Sequence, residues 1–217
     1  MSPDLIDLVY LLAAAFFIIG LKGLTRPRTA VKGNLLGAVG MLIAVVATML
    51  HQDVVSVSGV LIAIALGSIV GVVLALRIEM TAMPQLVALF NGLGGGASVL
   101  VAGAYLAGKE FSERLDSGAC FADILTATSA SGLIGAVTLS GSLVAFAKLQ
   151  ELKFVKDISF PGQKLLNLVL AIAAIGLGAA VVYYPEHGQL AYWAMCASAT
   201  VLGILLVISI GGADMPV

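Results

Sequence analysis

Asn91, Gly95, Ser98 and Ala102 recur at helical spacing inside an apolar stretch that runs from Met83 to Ala107. At about 100° per residue they share one face. A second apolar stretch, Ile124 to Ala147, aligns Ser131, Gly135, Thr138 and Ser142 in the same way. The polar members of both stripes offer hydrogen-bond donors and acceptors without charge. Within a membrane such stripes have two uses. They form direct bonds between helices, worth about 0.6 to 2 kcal/mol each, or they line a thin hydrated path along which a proton can pass. Asn91 is the sharpest residue of the set, because an unpaired amide in hydrocarbon is costly. It lies about 12 Å along its helix if the count starts at Met83. Both uses stay open on the residues alone.

The missing residues narrow the chemistry further. No Asp, Glu, Lys, Arg or His falls near the middle of an apolar stretch, and Asp7, Arg77 and Glu79 at the ends come nearest. Proton relays in membranes normally use a titratable side chain. A path through this chain therefore needs that group from another chain or from sequence not present here. Gly92-Leu93-Gly94-Gly95-Gly96-Ala97 matches the spacing of a dinucleotide fingerprint. That motif works only where a strand turns into a helix and presents its first amides to a pyrophosphate. Inside an apolar span it reads as close helix packing or local flexibility. No Walker motif, catalytic triad or paired-carboxylate site is found, so no catalytic residue is expected in the chain. Cys120 and Cys196 form no CxxC pair, and neither a disulfide framework, a metal site nor a cofactor site is implied.

The elements that must carry these residues follow from composition. Hydrophobic residues make up 60% of the 217 and charged residues only 11%, and the mean hydropathy is +1.11. No soluble fold of this length hides so much apolar surface. The net charge of -1 leaves no basic patch for a nucleic-acid partner. Seven stretches suit membrane spans: Leu5 to Leu21, Leu35 to Leu50, Val54 to Leu76, Met83 to Ala107, Ile124 to Ala147, Leu165 to Tyr184 and Leu190 to Ile210. Backbone polar groups in lipid need internal partners, so these must be helices, and the fold class expected is an all-α polytopic bundle. The first stretch follows Asp4 and Asp7 and lacks a clear cleavage site, so it reads as a retained span.

Orientation comes from the basic residues. The first connection carries Lys22, Arg26, Arg28 and Lys32, the third Arg77, and the fifth Lys148, Lys153, Lys156 and Lys164. The other connections together hold only Lys109 and Arg114. The positive-inside rule then puts the odd connections and Val217 in the cytoplasm, with the N-terminus, His51 and His187 outside. Gly33 and Gly37, Gly67 and Gly71, and Gly92 and Gly96 stand at GxxxG spacing, which predicts tight helix contacts. With no long linker and no convincing repeat, residues 1–217 read as one transmembrane domain.

Several short motifs, in order, resemble one family. They are Glu79-Met80-Thr81 with Met83-Pro84, then Asn91-Gly92 and the glycine cluster, then Ser140-Gly141-Ser142 with Ala145-Phe146-Ala147-Lys148-Leu149. Phe160-Pro161-Gly162-Gln163-Lys164 and Gly211-Gly212-Ala213-Asp214-Met215-Pro216 complete the set. Together they are similar to the membrane domain of the beta subunit of proton-translocating NAD(P) transhydrogenase. The resemblance implies an enzyme complex of the bacterial inner membrane that couples hydride transfer from NADH to NADP+ with inward proton passage. It implies NAD(H) and NADP(H) on other domains, and further spans and an NADP(H)-binding domain after Val217. It also implies alpha-subunit partners and a dimer of alpha-beta units.

Some members of that family carry a proton-loading histidine at the position of Asn91, whereas others pair a non-titrating residue there with a histidine on a companion-subunit helix. This chain resembles the second group, so Asn91, Ser98, Ser131, Thr138 and Ser142 are expected to line the proton path. Asp214 matches an acid implicated in coupling to the NADP(H) domain, and Glu79 either contacts a soluble domain or anchors the interface. Ala82 stands where relatives often carry another acid, so no role of that acid carries over. Two other classes compete: a secondary transporter of a small solute, which would show paired halves and broken helices, and a passive membrane anchor.

Overall fold

The computed structural model describes residues 3–50, 57–116, 122–152 and 158–210. Every element among the described residues is helical, with no strand. The α-helices are α1 (Pro3–Leu24), α2 (Pro27–Leu50), α3 (Val57–Arg77), α4 (Met83–Ala107), α5 (Lys109–Asp116), α6 (Ala122–Leu149), α7 (Gln163–Tyr183) and α8 (Gly188–Ile208). All except α5 are long and apolar enough to cross a membrane, seven in total. The chain is a multi-pass membrane protein. α1, α2, α6, α7 and α8 begin before the apolar stretches that predict them. α2 begins at Pro27 rather than Leu35, because apolarity marks the depth of lipid whereas a helix continues into the polar interface, and proline suits its first position.

The chain gathers into two compact units, Met1–Arg77 and Ile78–Val217. In the first, α1 and α2 form a hairpin around a turn at Thr25 and Arg26. The helices touch backbone to backbone: a Cβ on Gly20 would stand 2.8 Å from the Gly33 carbonyl oxygen. The Thr29 hydroxyl closes the turn by donating to the Gly23 carbonyl at 2.6 Å. α3 differs. None of its described side chains is buried, and a Cβ on Gly67 or Gly71 would meet nothing within 4 Å. GxxxG spacing puts two glycines on one face, but only the fold decides whether that face has a protein neighbour.

In the second unit α4, α6, α7 and α8 pack as neighbours, and α5 is a short amphipathic turn of helix after α4. The core of the unit centres on Tyr192, which is fully buried among Val99, Ala136, Met195 and Ala199. The hydroxyl-bearing end of its ring lies against Gly132, where any Cβ would collide with it. Its hydroxyl donates to the Val99 carbonyl at 2.7 Å. A tyrosine can sit this deep because α6 supplies space and α4 supplies an acceptor.

One end of this unit is closed by side chains that hold helix termini. Gln85, in the first turn of α4, donates to the Leu149 carbonyl at the end of α6 at 3.1 Å. Gln163, the first residue of α7, donates to the Leu205 carbonyl of α8 at 2.8 Å. Lys148 donates to the Ile208 and Ile210 carbonyls, both at 2.6 Å. Carbonyls in the last turn of a helix have no intrahelical partner, and these three residues from other helices supply one. Gly162, at φ +92° just before α7, makes the left-handed turn that a residue without a Cβ adopts at no steric cost.

Candidate functional site

α4 and α6 cross where Gly95 meets Gly135. A Cβ on Gly95 would lie 2.7 Å from the Gly135 carbonyl oxygen, and one on Gly135 would lie 2.6 Å from that of Gly95. The two backbones approach this closely only because both positions lack a side chain. Register follows: Gly92 meets Ser142, Gly95 meets Gly135 and Thr138, and Gly135 meets Val99. The helices are therefore antiparallel, and the two polar stripes face each other. Gly92 and Gly95 carry the contact. Gly96, the GxxxG partner expected from spacing, touches only the Leu139 side chain, at 3.5 Å.

Beside the crossing lies a cleft of 380 Å³, lined by Asn91, Gly94, Gly95 and Ser98 from α4 and by Ser131, Gly135 and Thr138 from α6. Phe90 and Ile134, both exposed, form its outer rim. The Asn91 amide nitrogen donates to the buried Ser142 hydroxyl oxygen at 3.0 Å. That bond uses one of the two amide donors and leaves the other donor and the carbonyl for further partners. Ser98 donates to the Gly94 carbonyl of its own helix at 3.2 Å. So the structure brings Asn91, Ser98, Ser131, Thr138 and Ser142 together, and leaves Ala102 outside, buried in the core. An opening of this size, walled by neutral donors and acceptors, can hold water or one polar side chain from a neighbour.

Glu79 stands apart from this cleft. It precedes α4, is exposed, and accepts a long bond of 3.5 Å from the Thr81 hydroxyl. Asp214 lies outside the described residues, as do His51 and Cys120. Cys196 is a buried free thiol on α8. The glycine run Gly92 to Ala97 lies within continuous helix, where its amides are used in intrahelical bonds. It forms no cradle for a pyrophosphate. Among the described residues no group of His, Cys, Asp and Glu could hold a metal ion.

Sequence reasoning left out Gln85, counted Lys148 as a connection charge and met Gln163 only within a family motif, so none was given the role of holding a helix end. Their signal was weak: a polar residue at the end of an apolar span looks the same whether it reaches water or a helix terminus.

A family model described as NAD(P) transhydrogenase beta subunit matches residues 6–217. The chain belongs to that family. The NAD(P) transhydrogenase subunit beta of Rhodospirillum rubrum is 43% identical over 217 residues, a match that covers all of this chain and 46% of the relative. The subunit from a designated strain of that organism gives the same values. The chain thus spans less than half the length of these transhydrogenase beta subunits. The ordered motifs from Glu79 to Pro216 pointed to the same family.

Proposed function

We propose that this chain is the membrane part of a proton-translocating NAD(P) transhydrogenase and that the cleft between α4 and α6 is part of its proton path. The complex would couple hydride transfer from NADH to NADP+ with inward proton passage across a bacterial inner membrane. The observation that carries the reading is the cleft itself, which gathers Asn91, Ser98, Ser131 and Thr138 among glycines and apolar side chains between two otherwise apolar helices. Its wall offers hydrogen bonds and no charge, so it orients water and leaves the loading of a proton to another group. A histidine on a companion helix of the alpha subunit suits that role, since imidazole titrates near neutrality. The exposed rim at Phe90 and Ile134 leaves the cleft accessible to such a helix.

In this reading Asn91 fixes the geometry. Its bond to Ser142 holds the amide at the cleft wall, and the remaining donor and acceptor present a water to the titrating group. Ser98, Ser131 and Thr138 continue the line of hydrogen-bonding groups. NAD(H) and NADP(H) bind other domains, the NADP(H) domain following further spans after Val217, in a dimer of alpha-beta units. In the same reading Glu79 and Asp214 serve coupling to that domain from the cytoplasmic side.

Asn91→Leu in the complete complex tests the reading. The substitution keeps volume and removes both hydrogen-bonding functions. Hydride transfer driven by a proton gradient should fall by about tenfold or more, equivalent to about 1.4 kcal/mol on the coupled step. Unchanged coupling would remove Asn91 from the path.

A further inference from the structure

Lys148 is a basic residue 93% withdrawn from solvent, with 7% relative exposure, at the last turn of a membrane helix. A lysine near a span end usually extends its ammonium into the interface. This one turns instead onto the end of another helix. Its ammonium donates to the carbonyls of Ile208 and Ile210, 60 and 62 residues away in sequence. Both bonds are short, at 2.6 Å, in line with a charged donor.

The backbone of Lys148 is itself fixed. α6 ends with the Leu152 amide donating to the Ala147 carbonyl at 3.1 Å and the Glu151 amide donating to the Lys148 carbonyl at 2.9 Å. Glu151 adopts φ +52°. These are the bonds of a Schellman motif, so the base of the lysine is clamped by a completed helix cap. Gln163, also only 7% exposed, holds the Leu205 carbonyl one turn earlier. The Ile158 amide adds a longer bond of 3.4 Å to the Ile208 carbonyl. The end of α8 is thus gripped from α6, from α7 and from the segment before α7. A cation at a helix C-terminus is further favoured by the helix dipole.

Ile210 is the last described residue, and Asp214 follows four residues later. Four residues span at most about 14 Å. Whatever fixes the Ile208 and Ile210 carbonyls therefore fixes the point from which the chain continues to Asp214.

We infer that Lys148 is a positioning residue for coupling: its ammonium ties the end of α8, the helix that leads on to Asp214, to the end of α6. Since α6 also forms one wall of the Asn91 cleft, one helix joins the polar cleft to the exit segment. The inference rests on the proposed function above, in which Asp214 faces the NADP(H) domain.

The test uses the complete alpha-beta complex in proteoliposomes. Lys148→Met keeps the stem and removes the donors. It should lower gradient-driven hydride transfer about tenfold, and amide hydrogen exchange in the 205–217 stretch should quicken while the rest of α6 is unchanged. Lys148→Arg, which keeps a charged donor, should restore both to within about twofold of wild type. Should Lys148→Met fail to assemble, Gln163→Met, which releases only the neighbouring grip, should produce the same two changes at about threefold. Normal coupling in the Met variant, reduced coupling with unchanged exchange at 205–217, or no rescue by arginine would each overturn the inference. Asn91→Leu run in parallel separates the two ideas. If that variant couples normally the proposed proton path fails, whereas the exchange result still decides whether Lys148 holds the exit of α8.

Discussion

Tyr192 shows how much one residue can organise in a bundle made mostly of small side chains. Its ring fills the space above Gly132, and its hydroxyl reaches the Val99 carbonyl at 2.7 Å. Two substitutions separate these contributions. Tyr192→Phe removes one hydrogen bond and leaves the packing, and the Val99 carbonyl keeps its place in the α4 ladder, so the cost should be about 0.6 to 1.5 kcal/mol. Gly132→Ala puts a methyl into the ring, where nothing flexible can give way, and should cost about 1 to 3 kcal/mol. Unfolding of the detergent-solubilised protein measures both. A larger loss for Tyr192→Phe than for Gly132→Ala would mean that the hydroxyl, not the ring, holds α8 in place. Neither contact was legible in the sequence. Tyrosine in an apolar span commonly marks an interface, and only the packing of α8 against α4 and α6 shows that Tyr192 faces a glycine and a carbonyl able to accept a second bond.

At the scale of the element, Gly94 and Gly95 make a sharper comparison because they are adjacent and of one type. A Cβ on Gly94 meets nothing within 4 Å, whereas one on Gly95 would stand 2.7 Å from the Gly135 oxygen, 2.9 Å from the Leu139 nitrogen and 3.0 Å from the Thr138 Cβ. Alanine is favoured over glycine within a helix by about 1 kcal/mol. Gly94→Ala should therefore be neutral or stabilising by up to about that amount. At Gly95 the same gain is opposed by a clash with backbone, which can be relieved only by moving a whole helix, so Gly95→Ala should lose about 1 to 3 kcal/mol net. Thermal unfolding of the two variants side by side checks the order, and equal stability would show that α4 and α6 do not meet at Gly95. The facing stripes were legible because small and hydroxyl side chains repeat at helical spacing on both spans. Gly95 and Gly135 stood on those stripes, but GxxxG spacing did not single them out as the contact. Gly67 and Gly71 fit the same rule as Gly92 and Gly96, yet spacing carries no information about which face finds a neighbour and which meets lipid.

For the whole molecule the open quantity is direction across the membrane. The spans were legible almost to their ends, because hydrocarbon selects apolar length directly. Their sidedness rests on charge: Lys22, Arg26, Arg28 and Lys32 in one connection, Arg77 in another, and Lys148 through Lys164 in a third. Lys148 weakens that count as evidence of solvent-facing charge, since it is buried on α8 rather than free in the interface. Removing it leaves the asymmetry intact, because Lys153, Lys156 and Lys164 remain in the same connection. The second unit fixes relative positions: Gln150 follows α6 at the end held by Gln85, Lys148 and Gln163, and Glu186 lies in the turn between α7 and α8 at the opposite end. Both are exposed. Single cysteines at these positions, in a background without Cys120 and Cys196, should therefore label on opposite sides. A membrane-impermeant maleimide applied to intact cells should modify Glu186→Cys. It should reach Gln150→Cys only after permeabilisation. Arg26→Cys, assigned by charge alone, should behave like Gln150→Cys. The reverse pattern would turn the end bearing Glu79 and the last turn of α8 away from the cytoplasm, and the proposed coupling to a cytoplasmic NADP(H) domain would fail.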